Sequence, residues 1–121
     1  EPAGNPILAY YTLTYGAIAF ASIPSALSKG LPKYPIPIAR IAELAVDCAH
    51  QGLGLGSDLL LDALIRITRA AEKVAIWAIL VDPIDQHASA FYLHHGFQPL
   101  RDSEAMILTL KDAKAWVMGS A

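Results

Sequence analysis

Three glycines within five positions, Gly52, Gly54 and Gly56, stand directly ahead of a run, Ser57–Val74, that contains neither glycine nor proline. A chain segment of this kind is a tight turn feeding a long helix. Asp58, Asp62, Arg66, Arg69 and Lys73 recur through the run at spacings of three and four, which puts them on one polar stripe and leaves the other faces apolar. The acidic residues come first and the basic ones last, the order that the helix dipole favours. Glycines at such a helix start let the backbone approach a ligand, and the exposed N–H groups there suit phosphate oxygens. The plain alternative is a glycine turn with no ligand, and a G-x-G-x-G string alone does not separate the two.

The flanking sequence predicts strands. Ile7–Ala21 is rich in aromatic and β-branched residues and reads as one long bent strand or a hairpin, and Ile36–Asp47 as a second major strand with Pro37 at its start or on an unpaired edge. Between them, Ser22–Tyr34 carries Pro24, Gly30 and Pro32 and permits one short helical turn in a loop. After the long helix, the segment Val74–Val81 predicts a buried strand. Ala88, Phe91 and Tyr92 then repeat at helical spacing between Asp85 and His95, with Gly96 as the stop. Phe97–Leu100 and Glu104–Leu110 form a plausible hairpin around Arg101, Asp102 and Ser103, and the tail Lys111–Ala121 shows no distinct pattern. The order strand, strand, glycine loop and helix, strand, helix, hairpin predicts a single α/β domain with a mixed sheet and helices packed on it.

Composition narrows the function classes. With 55% hydrophobic residues in 121, the chain can bury enough surface to order itself. Its longest apolar runs fall far short of the roughly 20 residues that a membrane span requires, and no signal segment is visible. A formal charge of −2 gives no global argument for nucleic acid. Lys29, Lys33, Arg40, Arg66, Arg69 and Lys73 are the available cations, and the aspartates on the same helical stripe weaken a phosphate-binding reading of that face. Cys48 is a lone thiol without an activating partner and receives no role. His94 and His95 are adjacent and point in different directions on a helix, so they do not make a metal site, and they read as helix-end polar residues.

A P-loop is disfavoured because Gly56 is followed by Ser57 without a lysine, and a dinucleotide fingerprint because the spacing is G-x-G-x-G. The combination of Leu44-Ala45-Val46-Asp47, Gln51-x-x-Gly54-x-Gly56, a helix, a strand, and A-x-x-F-Y-x-x-x-G-F from Ala88 to Phe97 instead resembles the GNAT acyl-CoA N-acyltransferase superfamily. Two motifs in the right order are far more specific than either alone. AYYTLTYGAI, LPKYPIPIARIAELAVD, LLLDALIRITRAAE and FYLHHGF narrow the likeness to the TacT and AtaT group of GNAT toxins, over about Ala9–Leu110.

That resemblance implies a GNAT fold, a mixed and mostly antiparallel sheet flanked by helices. It also implies that acetyl-CoA is the co-substrate, held by Gln51, Gly52, Leu53, Gly54, Leu55 and Gly56 at the pyrophosphate, by the backbone of Ala45 and Val46 along the pantetheine arm and acetyl carbonyl, and by Phe91. Tyr92 is implied as the general acid that protonates the departing thiolate; its plain alternative is a core aromatic. No metal is implied. The implied acceptor is the amino group of aminoacyl-tRNA, with arrested translation as the outcome, a ribbon-helix-helix antitoxin as partner, a homodimer as assembly and the cytoplasm as location. An α-amino group with pKa near 8 needs little help to attack, and Glu43 and His50 are weak candidates for a base; Glu43 can equally pair with Arg40. Two departures stand out: Glu43 occupies a position where a basic or neutral residue is expected. The sequence also starts at Glu1, inside the expected fold, so that an N-terminal strand and helices shaping the acceptor side are expected to be missing. The alternatives are a GNAT enzyme for a small amine or a protein N-terminus, and a catalytically silent acyl-CoA-binding module.

Overall fold

The computed structural model describes residues 9–46 and 55–119. The element order is β1 (Ala9–Ile18), a 3-10 turn (Phe20–Ser22), α1 (Ser25–Ser28), β2 (Ile36–Val46), α2 (Leu55–Ala70), β3 (Ala78–Val81), α3 (Gln86–His94), β4 (Gln98–Pro99), β5 (Met106–Thr109) and α4 (Leu110–Gly119). The strands form one sheet in the order β1-β2-β3-β5-β4. The β2–β3 pairing is parallel, Ile38 to Ile41 against Ala78 to Val81, and the other pairings are antiparallel. The expected mixed, mostly antiparallel sheet is therefore present. The segment Ile7–Ala21 yields a single strand rather than a hairpin, with a register shift between Tyr10 and Thr12.

Side-chain alternation sorts the core onto two faces. Ala39, Ile41, Ile79, Val81, Met106 and Leu108 point to one face, where Leu60, Ala63, Leu64 and Ile67 of α2, Tyr92 of α3 and Ala113 of α4 pack on them. Ile38, Ala78, Leu80 and Ile107 point to the other face, against Ile18, Leu27 and Trp77. All four β3 residues are buried, as befits a strand covered on both sides.

The polar stripe of α2 lies at the surface as expected, and part of it does more than meet solvent. Tyr11 of β1 donates to Asp62 Oδ2 at 2.5 Å, Arg66 Nε lies 3.4 Å from the same oxygen, and the Arg66 guanidinium sits 5.7 Å from the Tyr11 ring centroid. Desolvation and then the Asp62 hydrogen bond push the Tyr11 hydroxyl up to about 12.

Two expectations are corrected. The strand expected from Val74 begins only at Ala78, and Val74 is exposed. Pro37 accepts a hydrogen bond from the Trp77 N–H at 2.9 Å but has no N–H to return, so the regular ladder starts one residue later. The featureless tail is helix α4. Thr109 Oγ1 accepts from the Asp112 N–H at 3.2 Å in the manner of an N-cap, and Leu110, Ala113, Trp116 and Val117 pack against the core.

Candidate active site

The site forms where the two parallel strands part. Their pairing ends at Ile41 and Val81, while β2 continues to Val46 bonded to β1. Ala45 and Val46 thus lie on the stretch of β2 beyond the last paired residue of β3, with Tyr10 and Ala9 as their β1 partners. Gln51, Gly52, Leu53 and Gly54 lie outside the described residues, as do Cys48 and His50, and the side chain of Glu43 is likewise outside them. Leu55 opens α2 and Gly56 follows it in the first turn.

Gly56 and Phe91 bring the two motifs together. A Cβ added at Gly56 would stand 3.5 Å from the Phe91 ring, so the ring of α3 faces the first turn of α2 across the space of one methyl group. Helix α3 starts at an Asp85 N-cap whose carboxylate accepts from the Ala88 N–H at 2.8 Å. It ends at Gly96, whose φ of +95° is the left-handed conformation that glycine adopts without penalty. Between these stops the helix holds Tyr92 at 6% exposure, its ring meeting Phe91 and Phe97 edge-on at centroid distances of 5.3 Å. Burial, and secondarily the charge of Asp82 beyond the end of β3, push the Tyr92 hydroxyl up to about 12. Its phenol therefore keeps its proton throughout the physiological range. Arg40 of β2 pairs with Asp82, tying together the two strands just where they diverge.

His95 departs from the expectation of a helix-end polar residue that complements the dipole. Its ring stacks on Trp116 of α4 at 4.8 Å and 9°, meets Phe91 at 4.8 Å, and places Nε2 3.0 Å from Ser57 Oγ of α2. Burial, with a smaller contribution from neighbouring His94, lowers its pKa below the usual imidazole value, so a neutral ring is favoured. The unfolded chain binds this proton more readily, and stability tied to His95 is full above about pH 6.5 and lost as the pH falls below it. The melting temperature of the His95→Gln variant is accordingly expected to decline less between pH 7 and 5 than that of the parent, a comparison that thermal scans in matched buffers provide. The signal available in the sequence for this cluster was the Leu110, Ala113, Trp116 and Val117 spacing, which marks an amphipathic helix able to reach α3.

Among the described residues no group of three or more His, Cys, Asp or Glu is placed to hold a metal. No helix among them is long and apolar enough to cross a membrane.

A parallel pair opening beside a buried tyrosine, with a glycine-led helix start against the tyrosine's own helix, is the arrangement of an acyl-CoA transferase. Residues 8–99 match the acetyltransferase (GNAT) domain family, and the chain belongs to that family. It is 38% identical over 112 residues to a tRNA-acetylating toxin of Mycobacterium tuberculosis, covering 92% of this chain and 67% of the relative. It is 32% identical over 108 residues to a probable toxin TacT of Sinorhizobium fredii, covering 83% and 60%. Among solved structures, AtaT complexed with acetyl-methionyl-tRNAfMet aligns with a TM-score of 0.82 at 30% identity, over 90% of this chain and 66% of that one. A tyrosine-to-phenylalanine mutant of KacT aligns with a TM-score of 0.84 at 27% identity, again over 90% and 66%. The chain spans about two thirds of the length of these relatives, and 60% of the Sinorhizobium one.

Proposed function

We propose that the chain carries the acetyl-CoA-binding and acid-catalytic part of a tRNA-acetylating toxin, which moves an acetyl group from acetyl-CoA to the amino group of an aminoacyl-tRNA and so blocks translation. The observation that carries this reading is Tyr92, buried and protonated beside the point where β2 and β3 part, in a chain similar to a tRNA-acetylating toxin. Solved relatives support both ligands: there is a crystal structure of AtaTR bound with acetyl-CoA and a structure of AtaT complexed with acetyl-methionyl-tRNAfMet.

The chemistry is direct transfer. The acceptor amine attacks the thioester carbonyl, whose oxygen is polarised by a backbone N–H of the Ala45–Val46 stretch, the one that faces the open side of β2. As the carbon–sulfur bond breaks, Tyr92 gives its proton to the sulfur. Transfer from a phenol near 12 to a thiolate whose acid has a pKa of about 8.5 is uphill, so the proton crosses only as charge builds on sulfur and the phenol is refilled by the proton that the amine sheds. The first turn of α2, where Gly56 faces the Phe91 ring, takes the phosphate end of acetyl-CoA together with Gln51, Gly52, Leu53, Gly54 and Leu55. In this reading the chain works in the cytoplasm as a homodimer held in check by a ribbon-helix-helix antitoxin; a tyrosine-to-phenylalanine mutant of the AtaT toxin has a solved structure bound to the C-terminus of the antitoxin AtaR.

Incubation with labelled acetyl-CoA and total charged tRNA tests the proposal. Label is expected in the aminoacyl fraction and not in uncharged tRNA. Label that reaches only small amines or protein N-termini would overturn the tRNA acceptor while keeping the transferase.

A further inference from the structure

The cluster around His95 joins three helices at one imidazole. Trp116 of α4 stacks on one face of the ring at 4.8 Å, Phe91 of α3 meets it edge-on at 4.8 Å, and Nε2 lies 3.0 Å from Ser57 Oγ in the first turns of α2. The backbone N–H of His95 donates to the carbonyls of Tyr92, at 3.0 Å, and Phe91, at 3.3 Å, so the ring is anchored to the helical turn that carries the acid. The Phe91 ring in turn faces Gly56, the residue before Ser57, across the space of one methyl group. A stacked ring with a fixed hydrogen bond is a rigid spacer between two elements.

We propose that His95 is a positioning residue that sets the first turn of α2 against α3, and thereby the distance between the phosphate end of the acyl donor and the Tyr92 hydroxyl, with Trp116 holding the imidazole in its working orientation. The proposal rests on the acetyl-CoA reading given above and adds to it the residues that hold the two halves of the donor site in register. His95 touches neither donor nor acceptor in this role. Its effect passes through Ser57, so it falls on donor groups bound at the start of α2 and spares those bound along β2.

That selectivity separates positioning from general structural support. Acetyl-CoA carries the phosphates, whereas S-acetylpantetheine carries the same thioester and arm without them. Ser57→Ala and His95→Leu are each expected to raise the acetyl-CoA Kd about tenfold, the scale of one well-placed hydrogen bond, and the S-acetylpantetheine Kd less than about twofold. His95→Gln, which returns an amide near the position of Nε2, is expected to recover most of the acetyl-CoA affinity. Because both single variants break the same contact, the double variant is expected to bind no more weakly than the weaker single one.

Equal weakening towards both ligands, or a double variant whose loss is the product of the two singles, would overturn the positioning role. Failure of the parent chain to bind acetyl-CoA at all would instead overturn the donor-site reading beneath it. If His95→Leu does not fold, Ser57→Ala and His95→Gln carry the comparison alone, since neither removes the ring from a buried stack without a polar replacement.

Discussion

Tyr92→Phe is expected to lower kcat for acetyl transfer about 100- to 1,000-fold, the range that a positioned general acid contributes, while the acetyl-CoA Kd stays within about twofold. Removing one hydroxyl leaves the aromatic body in place against Phe91 and Phe97, so packing is retained. Loss of the proton donor then appears in the chemical step and not in binding. The pH dependence carries a second signature. With the hydroxyl pushed up to about 12, Tyr92 remains protonated below that range, and the parent's rate is expected to show no alkaline limb from this residue below about pH 11. Single-turnover acetylation of the aminoacyl-tRNA acceptor proposed above, run beside calorimetric titration of acetyl-CoA, reads both quantities. A kcat preserved within about threefold would mean that water protonates the thiolate and that Tyr92 is a core aromatic.

Phe97→Ala is expected to cost about 3–5 kcal/mol, among the largest losses that one truncation produces. Phe97 is fully buried at the start of the hairpin, its ring edge-on to Tyr92 and its N–H donating to the Tyr92 carbonyl at 3.0 Å. Against a total stability of about 5–15 kcal/mol for a domain, that loss lowers the melting temperature by on the order of 10–20 °C. The cavity also lies beneath the Tyr92 ring, so any folded fraction is expected to turn over more slowly at unchanged acetyl-CoA affinity. Phe97→Leu, which refills most of the volume, is expected to cost less than about 2 kcal/mol and to restore the rate. Denaturant unfolding of the two variants checks the pair, and near-equal losses would show that the ring's shape, not its volume, is what the site requires.

What the sequence revealed of this molecule follows from what leaves a local mark. Gly52, Gly54 and Gly56 ahead of a glycine-free helix, and Ala88, Phe91, Tyr92 and Gly96 at fixed offsets, encode turn geometry and helical phase, which act over a few residues and were readable at once. The start of β3 was not readable, because Val74 and Ile76 have strand-like side chains while the ladder is limited by Pro37, nearly forty positions away in the chain. Nor was the environment of His95. Its burial depends on Trp116, and in the sequence the lysines, aspartate and glycine of Lys111–Ala121 obscure the sparse apolar spacing of α4. The Arg40–Asp82 pair at the sheet's opening was similarly non-local, since it joins two strands some forty residues apart in the chain.

The parting of β2 and β3 also bears on how the protein behaves when it is idle. From Ala42 to Val46 the strand pairs with β1 on one side and, among the described residues, with nothing on the other. A row of unsatisfied N–H and C=O groups is a template on which a strand from another chain can add. In acetyl-CoA the pantetheine arm carries two amides, and in the function proposed above it lies along this edge, which would make the donor a stopper as well as a reagent. Cells or preparations poor in acetyl-CoA would therefore hold the protein with a seam open in the middle of its sheet, and its tendency to clump would rise and fall with the metabolic supply of acyl donor.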